Sequence, residues 1–236
     1  MLQKEGEIRI PSGCAISGIF SRSGQRFNGE DIIRSIATMH DRSNGLGGGF
    51  AGYGIYPRTK DLYALHVFYD SPAAQHFEME VAEKIPTRRD PSITDEPAIW
   101  RYFVFPLAKK MLDIQVDERE FVARCVVKIN TTLPGAYVFS SGKNMGVFKA
   151  VGFPEDVGRY YCLDQYEGYC WTAHGRYPTN TPGWWGGAHP FAMLDYSVVH
   201  NGEISSYDAN RRFIEMYGYK CTCSLTPKSL RILLIT

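Results

Sequence analysis

The sequence lacks several features that point to particular classes of protein. Its 236 residues contain no hydrophobic run long enough to span a bilayer. The formal charge is +1 and no dense stripe of Lys and Arg is present, which disfavours a nucleic-acid-binding protein. The opening residues carry four charges and no hydrophobic region, so they do not resemble a secretory signal. The sequence therefore predicts no membrane span and no nucleic-acid partner.

Cysteine pairs spaced for metal or redox chemistry are also missing. The six cysteines, at positions 14, 125, 162, 170, 221 and 223, form no C-x-x-C pair. Without an export signal they are expected to be reduced thiols of a cytoplasmic protein. An apolar content of 44% and an aromatic content of 14% predict a folded globular chain.

The pattern of apolar and turn-forming residues predicts a mixture of strands and helices. Residues 15–20 have strand character. Residues 28–45 have the capping and termination residues of a helix, with Asn28 as the N-cap. The glycine-rich residues 45–54 lack the Lys-Ser/Thr ending of a phosphate loop, so a tight mobile loop is predicted. Further expected elements are a strand over 62–69, helices over 71–84, 98–112 and 117–129, a hairpin of 136–140 with 145–151, and a short helix from Pro154.

Cys14 opens the first predicted strand, directly after Gly13. Removal of residues 1–13 would leave the α-amine of Cys14 beside its own sulfur. Such an amine titrates at about 7.7–8.0, so it can accept the thiol proton near neutral pH, as in N-terminal-nucleophile enzymes. The alternative is a buried core cysteine, since free cysteine is among the most buried residue types.

Two further candidates follow predicted strands near the carboxyl end. Arg176 can bind a carboxylate through two parallel hydrogen bonds, or form an ordinary ion pair. Asn201-Gly202 offers a side-chain amide and an accessible backbone N–H for a developing oxyanion, but Asn-Gly is also a common hairpin turn. The histidines at 174, 189 and 200 fit no standard zinc spacing and are interpreted as structural.

Three segments, in order, resemble the class II glutamine amidotransferases, whose glutaminase domains are N-terminal-nucleophile hydrolases. They are Cys14-Ala-Ile-Ser-Gly-Ile-Phe20, His174-Gly-Arg-Tyr-Pro-Thr179 and His200-Asn-Gly-Glu203. Residues 39–49, 140–146 and 178–185 are most similar to the archaeal-type glutamate synthase glutaminase subunit and to the related subunit of N-methylglutamate synthase.

The resemblance implies an α+β fold, a four-layer αββα sandwich over residues 14–236, with 1–13 as a propeptide and an insertion at about 56–165. It implies that Cys14 attacks the side-chain amide of L-glutamine to give glutamate and ammonia through a thioester. Asn201 and Gly202 would form the oxyanion hole, and Arg176 with Thr179 would bind the substrate. No metal is implied in this chain; flavin and iron–sulfur groups belong to the synthase subunit that receives the ammonia.

The carboxyl end departs from the family pattern after Thr222. Members usually continue with a Leu-Leu-Thr-Asp-Thr-Glu-Val run, whose aspartate holds the α-amino group of glutamine. Codons can be chosen for the residues from Cys223 onward such that restoring one lost base before them changes their translation to Leu-Leu-Thr-Asp-Thr-Glu-Val. The sequence therefore predicts that residues 223–236 are frame-shifted and that the domain is truncated, with Thr226 in the place of the aspartate.

Two other functions stay open at this point. The chain could be a non-catalytic docking subunit, or a truncated inactive remnant of the same family. It could also be an N-terminal-nucleophile amidase that acts on another amide. Arg176 argues against the latter because it favours an amino-acid carboxylate.

Overall fold

The computed structural model describes residues 13–70, 82–88, 98–178, 183–202 and 207–216, which form a mixed α and β structure. The strands are β1 (Ala15–Phe20), β2 (Phe27–Asn28), β3 (Gly48–Tyr53), β4 (Tyr63–Tyr69), β5 (Ala82–Lys84), β6 (Ala98–Val104), β7 (Ala136–Ser140), β8 (Met145–Ala150), β9 (Glu167–Gly168), β10 (Cys170–Gly175), β11 (Phe191–Met193) and β12 (Tyr196–Val198). The helices are α1 (Glu30–Ala37), α2 (Ala108–Ile114), α3 (Glu118–Thr132), α4 (Pro154–Tyr160) and α5 (Tyr207–Met216).

The longer strands form two antiparallel four-stranded sheets. The first sheet has the order β1-β10-β3-β8, and the second has the order β5-β6-β4-β7. β2 pairs with β9, and β11 pairs with β12, as separate two-stranded ribbons. In the first sheet Ala15 lies opposite Gly175, and Gly175 lies opposite Gly48. This register brings the residue before β1 close to the residues that follow β10.

Helices cover parts of both sheets. α1 and α4 pack against each other and against strands of the first sheet, while α3 packs against β7 of the second. The apolar face of α1 consists of Ile32, Ile33 and Ile36, which are all fully buried. α3 is capped at its amino end by Asp117, whose carboxylate accepts a hydrogen bond of 2.8 Å from the backbone N–H of Glu120. Burial of these faces fixes the helices on the sheets.

Four predicted elements are confirmed and several boundaries change. The strands at 15–20 and 62–69 and the helices at 117–129 and from Pro154 appear as β1, β4, α3 and α4. The helix predicted over 28–45 ends at Ala37, and a separate 3-10 turn follows over His40–Arg42. Asn28 still accepts a 2.7 Å hydrogen bond from the backbone N–H of Glu30, although Gly29 is the N-cap residue.

The loop predicted at 45–54 is wrong, because Gly48–Tyr53 is strand β3 between β10 and β8. Its glycines serve close packing. A Cβ on Gly49 would lie 2.3 Å from the carbonyl oxygen of His189, and one on Gly52 would lie 2.6 Å from the ring of Trp171. The sheet therefore needs these glycines for tertiary contact.

The helix predicted over 98–112 is also wrong in its first half. Ala98–Val104 is strand β6, and the helix begins only at Ala108. Branched and aromatic residues such as Ile99 and Tyr102, both buried, suit a pleated sheet. The end of the helix predicted over 71–84 is strand β5; residues 71–81 lie outside the described residues.

The predicted hairpin of β7 with β8 does not form. β7 pairs with β4 in the second sheet, and β8 pairs with β3 in the first. The connecting residues, the 141–144 joint, are held by several hydrogen bonds. Ser141 Oγ accepts from the N–H of Leu194 at 3.0 Å, and Asn144 accepts from the N–H groups of Gly54 at 2.7 Å and Tyr56 at 2.8 Å. The carbonyl oxygen of Gly142 also accepts from the N–H of Ala64 in β4 at 2.9 Å, so the joint connects the second sheet to the residues that follow β3.

The domain boundaries predicted from the sequence fall partly outside the described residues. Residues 1–12 of the propeptide predicted over 1–13, and the carboxyl-terminal residues 217–236, are not described. The insertion predicted at about 56–165 contains the whole second sheet. It also contains strand β8 of the first sheet and helix α4, which packs on that sheet. The strands of that interval are therefore shared between both sheets.

Candidate active site

Cys14 lies at the amino end of β1, next to the segment that leaves β10. The backbone N–H of Tyr177 donates a hydrogen bond of 3.3 Å to Cys14 Sγ. The thiol is half-buried, because the antiparallel register of β1 with β10 places residues 176 and 177 beside it. The sulfur is therefore oriented by main chain from the same segment that carries Arg176.

Asn201 reaches Cys14 from a different part of the chain. Its Nδ2 donates a hydrogen bond of 2.8 Å to the carbonyl oxygen of Cys14, and Arg42 Nε approaches the same oxygen at 3.4 Å. Gly202 has φ of +153°, and a Cβ there would lie 3.3 Å from the ring of His200. A side chain at 202 would therefore be strained, and glycine leaves its backbone N–H accessible.

Arg176 is buried, with 6% of its surface exposed, and its backbone is anchored on both sides. Its N–H donates to the carbonyl oxygen of Gly47 at 2.8 Å, and its carbonyl oxygen accepts from Ser43 Oγ at 3.1 Å. Burial lowers the pKa of the guanidinium, and the nearby Cys14 partly opposes this shift. A buried cation beside the thiol suits an anionic ligand group.

Glycines make room for the Arg176 side chain. A Cβ on Gly187 would lie 3.0 Å from Nη1, and a Cβ on Gly47 would lie 3.2 Å from Cδ. Gly47 also has φ of +149°, a conformation that favours glycine. The Arg176 side chain therefore packs closely against the main chain of Gly47 and Gly187.

A pair of buried histidines supports the loop that carries Asn201. His174 Nε2 donates to the carbonyl oxygen of His200 at 3.1 Å, and its ring centroid lies 4.5 Å from that of His189. Burial lowers the pKa of His174 to about 4 and that of His189 to about 2, so both rings are neutral at pH 7. Neutral His174 can therefore hold the His200 carbonyl without adding a charge to the site.

The structure brings together four of the five residues predicted for the site. Cys14, Arg176, Asn201 and Gly202 lie in one region, whereas Thr179 lies outside the described residues. Sequence reasoning missed the backbone N–H of Tyr177 and the support from Ser43, Gly47 and Gly187. The glycine runs at 45–49 and 186–187 were the available signal.

Neither a metal centre nor a membrane span is found in the part of the chain that the structure describes. No cluster of three or more His, Cys, Asp or Glu side chains there could hold a metal ion. No helix among those residues is long and apolar enough to cross a bilayer.

A family model shows to which family the chain belongs. The model described as class II glutamine amidotransferases matches residues 82–234. This chain belongs to the class II glutamine amidotransferases. The amidotransferase match covers β5 to α5, with Arg176, Asn201 and Gly202, and it runs past Thr222 into the segment predicted to be frame-shifted.

Three curated relatives of this amidotransferase are similar over shorter or longer stretches. An uncharacterized protein from Archaeoglobus fulgidus is 52% identical over 221 residues, which cover 89% of this chain and 58% of the relative. An amidophosphoribosyltransferase from Methanocaldococcus jannaschii is 30% identical over 100 residues, covering 41% of this chain and 21% of that protein.

The third relative is the glutamine amidotransferase-like protein GlxB from Rhizobium meliloti. It is 31% identical over 80 residues, which cover 34% of this chain and 27% of that protein. The chain therefore spans 58% or less of the length of these curated relatives.

Proposed function

We propose that this chain is a glutaminase domain that hydrolyses L-glutamine to glutamate and ammonia through a thioester on Cys14. One observation carries the proposal. The amide of Asn201 and the segment that carries Arg176 converge on Cys14, with hydrogen bonds to its carbonyl oxygen and its sulfur. A nucleophile, an amide donor and a buried cation at one position are the groups that such a reaction requires.

The reaction begins after residues 1–13 are removed. The free α-amine of Cys14 accepts the thiol proton, and the thiolate attacks the side-chain amide carbon of glutamine. As the tetrahedral intermediate collapses, the α-ammonium returns a proton to the leaving nitrogen, and ammonia departs. Water, deprotonated by the same amine, then cleaves the thioester to give glutamate and restore the thiol.

The remaining site residues bind substrate and stabilise charge. Arg176, with Thr179, pairs with the α-carboxylate of glutamine. Asn201 Nδ2 and the backbone N–H of Gly202 donate to the oxyanion of the intermediate. One N–H of the Asn201 amide bonds to the Cys14 carbonyl, and the amide has a second N–H to offer.

The ammonia acceptor is proposed from the resemblance of residues 39–49, 140–146 and 178–185 to the archaeal-type glutamate synthase subunit. In this proposal the chain, or the longer protein that contains it, delivers ammonia to a synthase component that carries flavin and iron–sulfur groups. A cytoplasmic location accords with free thiols at positions 14, 125, 162 and 170. The two sheets and their helices would be the layers of a four-layer αββα sandwich.

Intact mass and glutamine turnover test the proposal together. The mature protein should lack residues 1–13 and release ammonia from glutamine. Cys14→Ala should abolish this release, because the attacking sulfur is lost, and Cys125→Ala, at a half-buried cysteine on α3, should retain it. Uncleaved protein without turnover would favour a docking role. Turnover of other amides but not glutamine would favour a different amidase.

The frame-shift proposal has a separate test. Sequencing of the encoding DNA, with the intact mass of the carboxyl-terminal peptide, should reveal a missing base after Thr222. An in-frame relative that ends in the same residues would contradict it. If the shift is real, restoring the reading frame should lower the KM for glutamine, since an aspartate would replace Thr226 in binding the α-amino group.

A further inference from the structure

Lys149 is a buried cation that the proposed reaction does not use. It lies on β8 with 5% of its surface exposed. Its Nζ donates to the carbonyl oxygens of Gly186 at 3.4 Å and Ala188 at 3.2 Å, and it lies 4.6 Å from the centroid of the Phe191 ring. A lysine with this degree of burial is uncommon and needs a structural or functional reason.

The segment that Lys149 holds also contacts Arg176. Gly187 lies between the two carbonyl groups that bind Lys149, and its Cα faces the guanidinium, since a Cβ there would be 3.0 Å from Nη1 and 3.2 Å from Cζ. Ala188 contributes as well, because a Cβ on Gly47 would contact both Ala188 Cβ at 3.1 Å and Arg176 Cδ at 3.2 Å. Residues 186–188 thus separate the two cations.

The same segment is fixed to the sheet next to Lys149. Gly49 lies opposite Lys149 in the register of β3 with β8. The absence of a side chain on Gly49 allows the carbonyl of His189 to lie directly against β3, where a Cβ would be 2.3 Å from that oxygen. Movement of residues 186–188 is therefore limited on the sheet side by β3 and by Lys149.

We infer that Lys149 is a positioning residue that sets Arg176 for carboxylate binding by holding residues 186–188 against the guanidinium. The inference rests on the proposed function, in which Arg176 binds the glutamine carboxylate. In this role Lys149 acts through residues 186–188 and does not itself bind the carboxylate. Its loss should therefore weaken the binding of ligands that carry an α-amino-acid carboxylate and leave the intrinsic reactivity of the thiol unchanged.

Kinetics separate this role from a merely structural one. Lys149→Met keeps the length of the side chain and removes both hydrogen bonds. It should raise the KM for glutamine about tenfold and change kcat by less than about twofold. The reason is that the lost hydrogen bonds position Arg176, which binds the substrate, and do not act on the reacting atoms. Lys149→Arg should restore most of the affinity, since a cavity of about 360 Å³ borders Lys149 and offers room for the guanidinium. Exposed Lys109→Met is the matched control.

A labelling experiment does not depend on turnover. The probes are 6-diazo-5-oxo-L-norleucine, a reactive glutamine analogue with the α-carboxylate, and iodoacetamide, which has no carboxylate. In Lys149→Met the rate of Cys14 labelling by the analogue should fall about tenfold relative to the rate with iodoacetamide. Gly187→Ala, which displaces the guanidinium directly, should show the same selective loss, and the double variant should lose little more.

The outcomes distinguish the two proposals. Selective labelling of the wild type that is lost in Lys149→Met, in a protein that does not hydrolyse glutamine, would contradict the glutaminase reaction but uphold the role of Lys149. Normal hydrolysis with unchanged KM and labelling selectivity in Lys149→Met would overturn the role of Lys149 alone. An equal fall with both probes would also overturn it, because a general loss of structure would explain the result. If Lys149→Met fails to fold, the role of Lys149 is tested with Gly187→Ala and Lys149→Arg, again by the ratio of the Cys14 labelling rates with the two probes.

Discussion

The two sheets differ in how their strands are filled. β3 of the first sheet contains glycines whose neighbours lie close to the main chain, and the candidate site stands at the end of this sheet. The second sheet is packed with large side chains against α3. Tyr63, Tyr69 and Tyr102 of the sheet belong to one buried cluster with Val122 and Val126 of α3. The first region should therefore be sensitive to added atoms, and the second to removed ones.

Lowering the pH should have the largest effect, because it destabilises both regions through their buried histidines. Burial lowers the pKa of His66 in β4 to about 3, of His174 to about 4 and of His189 to about 2. Unfolded histidine titrates near 6.5, so below that pH the unfolded state binds more protons and stability falls as the pH falls. The loss is up to about 1.4 kcal/mol per histidine per pH unit.

Urea unfolding between neutral pH and the pKa of His174 measures this dependence. His66→Gln removes one titrating group, so its stability should fall less steeply with acid than that of the wild type. A stability independent of pH over this interval would show that the histidines are not buried in the neutral form.

Asn201→Ala should damage the site without damaging the fold. The side chain is exposed, and its Nδ2 is the donor assigned to the oxyanion. Removal of one such donor lowers kcat by about 100-fold to 1,000-fold. Glutamine turnover and melting temperature should be compared with those of Gln25→Ala, an exposed amide away from the site. A loss of less than tenfold in kcat would remove Asn201 from the oxyanion hole.

Gly49→Ala should show the sensitivity of the first sheet to added atoms. Its Cβ would lie 2.3 Å from His189 O and 2.8 Å from Lys149 Cβ, so we expect a cost of about 3 kcal/mol in unfolding free energy, the upper end for overpacking. Gly18→Ala in β1 is the control, since its nearest contact is 3.7 Å away. Equal stability of the two variants would show that the close packing on β3 is not required.

Val126→Ala should show the opposite behaviour of the second sheet. Val126 is 3% exposed in the cluster beneath α3, and loss of its methyl groups should cost about 2 kcal/mol. The folded variant should keep its kcat, because α3 packs on β7 rather than on the strands that carry the site. Val151→Ala, at a position that is 51% exposed, should be close to neutral. A fall in kcat for Val126→Ala would show that packing between α3 and the second sheet influences the candidate site.

The smallest effect concerns the pair of exposed His40 and buried Glu155. The hydrogen bond to Glu155 raises the pKa of His40, and the ring also stacks on Phe153 at 4.2 Å. The stabilisation by this hydrogen bond is complete below 6.5, the pKa of histidine in the unfolded chain. It is lost as the pH rises through the pKa of His40 in the folded protein. The difference in melting temperature between wild type and His40→Gln should therefore shrink above neutral pH. A constant difference would assign the effect to stacking alone.

Much of the candidate site could be proposed from the sequence because its signals are local. Cys14 before a strand and Asn201-Gly202 after one can be recognised from a few neighbouring residues, and the structure places them together. The support for Arg176 was not predictable in this way. Ser43, Gly47 and Gly187 act through contacts between distant segments, which neither propensity nor spacing encodes.

The fold was predictable where the residue pattern and the tertiary environment agree. α3 has a capping aspartate and a buried face, so local and global preferences coincide. β3 was interpreted as a loop because its glycines disfavour strands locally, whereas the sheet requires them for the approach of Trp171 and His189. β7 and β8 were correctly identified as strands, but their spacing could not show that they pair in different sheets.

The 141–144 joint limits how this protein can be engineered. It has the length and residue types of a surface turn, which is where tags, fluorescent reporters and new chain termini are usually introduced. Its side chains and carbonyl groups are already bonded to Ala64 of β4, to Gly54 and Tyr56 after β3, and to Leu194, and Ser141 is buried. An insertion there would uncouple one half of the molecule from the other. The exposed turn at Ser23-Gly24 is a better choice, because nothing lies within 4 Å of a Cβ built on Gly24.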